Sequence, residues 1–336
     1  MDALRVVFFG TPEIAVPTLE ALIEGPHNVV GVVSQPDRGR GRGRKLSPSP
    51  IAAVALEHDI PLLRPEKVGD AEAVAALAEL APDVGVVVAF GQFIPKKVRE
   101  LPSRGYLINA HASLLPKYRG AAPIARVILD GEAETGVSVM RVEKEMDSGA
   151  VALVAKTLIR PQENTAELSE RIATIAADAI AEAVDQVALD TIEWVEQDAS
   201  QATFAAKIEK HDAVLDLTES ARALADRIHA VSPKPGGAVT VLGQGSDDVV
   251  LKISRADVGF ADTDLAPGTI DQSDPAAPIR IATGDGWLVP LVLQRPGGKP
   301  LPVADFLRGF PLAADARCAL VESSSDASGA GGGETR

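Results

Sequence analysis

Short apolar runs, each closed by Gly, Pro or a polar residue, alternate along the first half of the chain with longer stretches of helical spacing. Arg5–Gly10 (RVVFFG) is rich in β-branched and aromatic residues and predicts a strand. The stretch TPEIAVPTLEALIEG after it opens on proline and predicts a helix. Val29–Asp37 (VVGVVSQPD) predicts a second strand, SPIAAVALEHD a helix, IPLLRP a short strand and DAEAVAALAELAP a helix. Asp83–Gly91 (DVGVVVAFG) is almost wholly apolar, the pattern of a strand covered on both faces of a parallel sheet. YLINAHA and AAPIARVILDG predict the next strand and helix. The alternation predicts a doubly wound, mostly parallel α/β sheet, in which ligands bind beyond the carboxyl ends of the strands. Gly10, Ser34–Asp37, Phe90–Gly91 and Asn109–His111 fall at such ends.

The pattern then changes. TGVSVMRVEKEMDSGAVALVAKT predicts two strands joined around Met146–Gly149, and AELSERIATIAADAIAEAVDQV a long helix. Residues 190–206 read as a linker. After it come a helix (ESARALADRIHAV) and short strands (AVTVL, VVLKISRADV, GTIDQ, IRIATGDGWLVPLVL) at the spacing of a small β-barrel. The tail ESSSDASGAGGGETR is Ser/Gly-rich and predicts disorder. The expected plan is an α/β domain over 1–189, a linker over 190–206, a barrel over 207–313 and a tail over 314–336, which suits a chain of 336 residues.

Composition narrows the function. No apolar run is long enough to span a bilayer and a strand follows the N-terminus directly, so the expectation is a cytoplasmic protein away from membranes. A single cysteine, Cys318, excludes a disulfide framework and a Cys-based zinc site. The five histidines show no metal-binding spacing, so no metal is expected. A net charge of −14 argues against a general nucleic-acid binder. The excess is localised, however. Residues 148–206 hold three Lys/Arg against ten Asp/Glu, whereas residues 1–147 hold 17 against 19. Within that near-neutral part, Arg38, Arg40, Arg42, Arg44 and Lys45 fall in one short Gly-interleaved run. Such a run is either a solvated charged loop or an arm that moulds onto phosphates.

The candidate chemistry lies in Tyr106–Ile124, YLINAHASLLPKYRGAAPI. Side chains alternate along a strand, so Asn109 and His111 point the same way. An amide NH2 and an imidazole aimed at one spot can polarise a carbonyl, stabilise an oxyanion and move a proton. Asp147, in a turn with small neighbours, is the candidate partner for His111. From spacing alone, satisfied core polar groups and a turn aspartate remain an equal alternative.

NAHASLLPKYRGAAPI resembles the N-x-H-x-S-L-L-P-[RK]-[YW]-R-G-[AR]-[AS]-P segment of folate-dependent formyltransferases. In that family an Asn, a His and a downstream Asp in an L-D-[TS]-G segment form the catalytic trio. Asn109, His111 and Asp147 match them, with Met146 where Leu is usual. The resemblance implies a Rossmann-like catalytic domain, a formyl donor, 10-formyltetrahydrofolate, and no metal. It also implies that Ser113, Leu114, Leu115 and Pro116 line the folate site. VVVAFGQFIP resembles a second family segment and would give Phe90, Gly91, Gln92, Phe93 and Ile94 to the pteridine. Taken alone, that stretch reads as a buried strand and turn.

The stretch SQPDRGRGRGRKLSPSP resembles the basic loop of methionyl-tRNA formyltransferases, and ATFAAKIEKHDAVLDL, RIHAVSPKPGGAV and LQRPGGKPLPVADFLRGF resemble their C-terminal, OB-like barrel. Leu217 and Lys234 depart from the usual tryptophans there. The resemblance implies a monomer whose second substrate is methionyl initiator tRNA, held by Arg38, Arg40, Arg42, Arg44, Lys45, Lys207 and Lys210. Two alternatives stay open. A sugar-nucleotide N-formyltransferase would keep the Asn/His site but has little use for the arginine run. A non-catalytic tRNA-binding module would not need Asn109, His111 and Asp147. A nicotinamide dehydrogenase is disfavoured, because FFGTPE lacks the glycine-rich turn.

Overall fold

The computed structural model describes residues 2–40, 45–243, 248–259, 263–274 and 277–321, with the backbone alone at Arg40 and Lys45. The chain forms two compact units. The first runs to Lys207, apart from the short pieces Ile128–Gly131 and Pro161–Thr165, which group with the second, from Ile208 onward.

Up to Lys207 the elements are β1 (Arg5–Gly10), α1 (Val16–Glu24), β2 (Asn28–Val33), β3 (Arg38–Arg40), β4 (Lys45–Ser47), α2 (Pro50–Glu57), β5 (Leu62–Leu63), α3 (Ala71–Glu79), β6 (Val84–Val88), α4 (Lys96–Arg99), β7 (Leu107–His111), β8 (Arg119–Gly120), α5 (Pro123–Leu129), β9 (Glu134–Arg141), β10 (Val151–Leu158), α6 (Thr165–Ala188) and β11 (Phe204–Ala205). Seven strands form one sheet in the order β10-β9-β7-β6-β1-β2-β5. β5, β2, β1, β6 and β7 are parallel, while β9 runs antiparallel to β7 and β10 antiparallel to β9. The chain lays β2 and β5 on one side of β1, then returns to place β6 on the other. The carboxyl ends of β1 and β6, where Gly10 pairs with Val88, are therefore a topological switch point.

Strand alternation divides the core between the two faces of this sheet. Val6, Phe8, Val84, Val86 and Ile108 pack with Leu19, Ile51, Ile180 and Val184 from α1, α2 and α6. Val7, Phe9, Val87 and Leu107 pack with Leu77 and Val98 from α3 and α4. Each large side chain so buried contributes roughly 1.5–3 kcal/mol. Asn109 and His111 share the face of Leu107. Helix α2 begins where the sequence provides a cap: the Ser49 hydroxyl accepts the Ala52 N–H at 3.0 Å, with Pro50 in its first turn.

Residues 190–206, expected as a linker, are bonded to this unit. Val195 exchanges main-chain hydrogen bonds of 2.8 and 2.9 Å with Val151, and β11 runs parallel to β8. The Arg141 guanidinium lies 4.6 Å from the Tyr106 ring centroid and 4.5 Å from that of Trp194. Attachment through isolated main-chain pairs and one stacked arginine leaves no periodic pattern in the sequence.

The second unit contains α7 (Ala221–Ala230), β12 (Gly237–Leu242), β13 (Val249–Gly259), β14 (Ile270–Asp271), β15 (Arg280–Ala282), β16 (Trp287–Gln294), β17 (Leu301–Pro302), α8 (Val303–Gly309) and β18 (Arg317–Ala319). Its antiparallel sheet has the order β14-β15-β16-β13-β12-β18, with β17 on β16. A Thr269–Arg317 bridge and a 2.7 Å bond from Cys318 N–H to the Gly268 carbonyl join the two ends, so the barrel is nearly closed. Leu215, Leu224, Ile228, Val239, Leu251, Ile253 and Leu288 fill it. Leu217, the departure from tryptophan, is buried in the same core. The barrel does not stop at residue 313. β18 lies within the stretch expected as tail, and burial pushes its Cys318 thiol up to about 12. The expected disorder from residue 322 onward lies outside the described residues.

Candidate active site

Asn109 lies in β7 between Val87 of β6 and Met140 of β9, and His111 lies two residues on, opposite Ser138. The turn between β9 and β10 is closed by a 2.9 Å bond from Arg141 N–H to the Ala150 carbonyl. It brings the Asp147 carboxylate to 3.5 Å from His111 Nδ1. Gly149 makes this turn possible, because a Cβ there would stand 2.0 Å from the Arg141 carbonyl oxygen. Asp147 itself adopts φ 51, in the left-handed region.

Both members of this pair are oriented from the Tyr118–Gly120 segment. His111 Nε2 lies 2.8 Å from the Tyr118 carbonyl oxygen. A carbonyl can only accept, so Nε2 carries the hydrogen and Nδ1 is the ring atom turned to Asp147. Gly120 N–H donates to Asp147 Oδ2 at 2.8 Å. Gly120 has φ 128, and a Cβ there would meet the Ala205 carbonyl at 2.7 Å, so glycine is required on both counts. His111 is buried and Asp147 half-buried. The half-buried Asn109 amide makes no hydrogen bond within the described residues and is the free donor of the group. The sequence suggests three side chains aimed at one reacting centre. As placed, the ring offers Nδ1 to a carboxylate and holds its N–H on the main chain.

The expected folate residues occupy two loops at the same strand ends. Ser113 is fully buried; its hydroxyl donates to the Lys117 carbonyl at 2.7 Å, and its carbonyl accepts from Ser138 Oγ at 2.8 Å. Leu115 N–H donates to the same Ser138 oxygen at 3.1 Å, and the Leu115–Pro116 peptide is cis. Leu114, Leu115 and Pro116 are half-buried. In the loop after β6, Phe90 packs edge-on to Phe9, with centroids 5.6 Å apart. The Phe90 carbonyl accepts from Thr11 Oγ1 and Gln35 Nε2, both at 3.0 Å. The Gln92 side chain is spent inside the protein, accepting from Val68 N–H at 2.8 Å and donating to the Pro65 carbonyl at 3.0 Å. Ile94 is buried, and its carbonyl accepts from Arg99 at 3.2 Å. Phe90, Gln92 and Ile94 thus shape the loop from within. What it turns outward is main chain at Gly91 and the exposed Phe93 ring.

The expected tRNA contacts are distributed. Arg38 is exposed in β3, which pairs with β4 as a hairpin that joins Arg38 to Ser47 and Arg40 to Lys45. An Arg64–Asp37 ion pair at 2.7 Å fixes its base. Arg42 and Arg44 lie outside the described residues. Lys207 is exposed in the first unit, and Lys210 in the second.

Residues 4–184 match the family model described as formyl transferase, and residues 207–311 match formyl transferase, C-terminal domain. The chain belongs to the formyl transferase family. A methionyl-tRNA formyltransferase of Hydrogenovibrio crunogenus is 41 % identical over 92 % of this chain and 97 % of its own. One of Chromohalobacter salexigens is 43 % identical over 91 % and 93 %. Among solved structures, an N-formyltransferase from Helicobacter canadensis in complex with folinic acid and dTDP-3-aminofucose shares the fold. Its TM-score is 0.62 and its identity 16 %, over 85 % of this chain and 99 % of that one. HypX from Aquifex aeolicus in complex with tetrahydrofolic acid gives a TM-score of 0.60 and 18 % identity, over 91 % and 47 %.

Sequence reasoning missed the residues that hold the candidate site of this formyltransferase together. Arg119, 8 % exposed, donates through Nε and Nη2 to Gln197 Oε1 at 3.1 and 2.7 Å. Gln197 Nε2 donates to the carbonyls of Asp147 and Gly149 at 2.9 and 2.7 Å. Arg119 had a signal, as the arginine of the PKYRG stretch. Gln197 had none, being one polar residue in a stretch that reads as a linker.

Proposed function

We propose that this chain transfers the formyl group of 10-formyltetrahydrofolate to the amino group of methionyl-initiator tRNA. The relatives named methionyl-tRNA formyltransferase support this, because they match both units at 41–43 % identity. The folate compounds bound to structural neighbours support a folate-derived donor. The observation that carries the chemistry is the Asp147 carboxylate 3.5 Å from His111 Nδ1, beside the free Asn109 amide.

The methionyl ammonium gives one proton to Asp147, directly or through water; Asp147 passes it to solvent and is a carboxylate again when the free amine adds to the formyl carbon. The formyl oxygen takes the electron pair, and the Asn109 N–H stabilises it. One such donor contributes about 10²–10³ in rate. The amine nitrogen then loses its second proton through His111 Nδ1, and N10 of the folate receives a proton as its bond to the formyl carbon breaks. The products are the formylated amine, tetrahydrofolate and one released proton. His111 Nε2 stays on the Tyr118 carbonyl throughout and keeps the ring in register.

The loops Phe90–Ile94 and Ser113–Pro116 flank this centre and take the pteridine. Arg38, Arg40, Arg42, Arg44, Lys45, Lys207 and Lys210 meet the phosphates of the tRNA. Residues 1–189 carry the chemistry and the basic run, and the barrel from 207 adds further tRNA contacts, in a cytoplasmic monomer. The test is formyl transfer from 10-formyltetrahydrofolate to charged initiator tRNA, beside free methionine and an amino-sugar nucleotide. Transfer to the tRNA alone is expected. Transfer to the sugar nucleotide with tRNA inert would overturn the choice of acceptor and leave the roles of Asn109, His111 and Asp147 standing.

A further inference from the structure

Two residues of one three-residue stretch hold the candidate catalytic pair directly. Tyr118 accepts from the His111 ring at 2.8 Å, and Gly120 donates to the Asp147 carboxylate at 2.8 Å. Arg119, between them, reaches neither. Its guanidinium is buried and, among the described residues, has no carboxylate partner. It places two N–H donors on one neutral oxygen, Gln197 Oε1. A buried guanidinium left without a carboxylate is costly, so its arrangement needs a reason.

The reason lies on the other side of the same amide. Gln197 Nε2 reaches two carbonyls of the catalytic turn, those of Asp147 and Gly149. Asp147 holds a left-handed backbone, which a residue with a Cβ adopts only at a cost. A turn strained in this way relaxes by rotating its peptides, and that rotation would carry the carboxylate off His111. Donors from Arg119 on the oxygen polarise the amide and strengthen its N–H groups toward the turn. A carboxamide is the one side chain that accepts on one edge and donates twice on the other.

The segment that carries Gln197 is itself tied to the same triplet. Arg119 N–H donates to the Thr203 carbonyl and Tyr118 N–H to Thr203 Oγ1, both at 2.9 Å. The stretch read from sequence as a linker thus backs the site on both sides of Arg119.

We propose that Gln197 is a positioning residue for formyl transfer: it converts the buried Arg119 fork into two hydrogen bonds that fix the Asp147 turn against His111. The proposal rests on Asp147 and His111 acting in the reaction, as argued above. The decisive variant is Gln197→Glu. It keeps the shape and gives Arg119 a better acceptor, but it turns an oxygen without hydrogen toward two carbonyls. Expected is a melting temperature equal to or above that of the wild type, with kcat lower by about 10- to 100-fold and KM for both substrates within about twofold. The ring nitrogen NMR signals of His111 should move while those of His27 keep their place. Gln197→Ala should lose kcat as well, and some stability with it.

A Gln197→Glu enzyme with kcat within about threefold of wild type and an unmoved His111 would overturn the proposal. So would kcat falling only in step with the melting temperature, since a merely structural glutamine does that. If wild-type enzyme formylates some other amine, the acceptor reading fails, and the His111 signals and the kcat on that amine still decide the part of Gln197.

Discussion

Asp147→Asn is the substitution that separates chemistry from architecture in this site. The wild-type carboxylate accepts one main-chain N–H at 2.8 Å and stands 3.5 Å from His111 Nδ1, with the two side chains 17 % and 7 % exposed. An asparagine oxygen still accepts from Gly120, and the change from a charged to a neutral acceptor costs about 1 kcal/mol. Catalysis should lose far more. Two unit charges 3.5 Å apart interact by about 5 kcal/mol at an effective dielectric of 20, and residual exposure of Asp147 reduces this to about 3–4 kcal/mol. That is the support a carboxylate gives to a proton held on Nδ1 while the amine is losing it. At 1.36 kcal/mol per tenfold, the loss is about 10²- to 10³-fold in kcat. Loss of Asp147 as the first proton acceptor acts in the same direction. The assay is single-turnover formyl transfer with preformed enzyme–tRNA complex, beside tRNA affinity and a melting curve. Chemistry within about tenfold of wild type, in a variant that folds and binds tRNA normally, would refute the assignment of Asp147. Loss of folding would instead make the aspartate a structural turn residue.

Other outcomes follow from the same geometry. Arg42→Ala is expected to raise KM for tRNA and to reduce the slope of log affinity against log salt by about 1, whereas a change confined to the folate KM would remove this arginine from the tRNA contacts. Ending the chain after Val321 should leave activity and melting temperature intact. Ending it after Ala313 removes β18 with its buried Ala316 and Cys318, and should destabilise the barrel by about 2 kcal/mol or more, read as a lower melting temperature. The Asp271 carboxyl is held at about 2 by hydrogen bonds from Ser273 and Arg280, below its ordinary 3.8. A carboxyl depressed in the fold stabilises above its unfolded value and loses that contribution as pH falls from about 3.8 to 2. Asp271→Asn should flatten the acid dependence of barrel unfolding in that window; an unchanged slope would show that the carboxyl does not contribute.

The layered plan, and the face that carries the candidate site, are already written in the order of residues. Strand β6 is apolar on both sides because helices cover both sides, and that pattern is visible in any single chain. The alternation of Val6, Val7, Phe8 and Phe9 between two cores follows from the period of a strand. The same period puts Asn109 and His111 on one face, and the Gly-bounded strand ends mark where a ligand meets a parallel sheet. What surrounds those two side chains depends on how distant segments fold together. Asp147 lies 36 positions beyond His111, and its approach depends on an antiparallel neighbour and on a turn that closes through Gly149. The committed Nε2 of His111, the loop-shaping use of Gln92 and the role of Arg119 and Gln197 are hydrogen bonds to main-chain atoms or to a distant side chain. Hydrophobic periodicity reports how a segment is buried, because burial acts on whole faces and repeats with the geometry of the element. A single polar contact between segments repeats with nothing. The stretch 190–206 was therefore silent in the sequence, although it closes the site from behind.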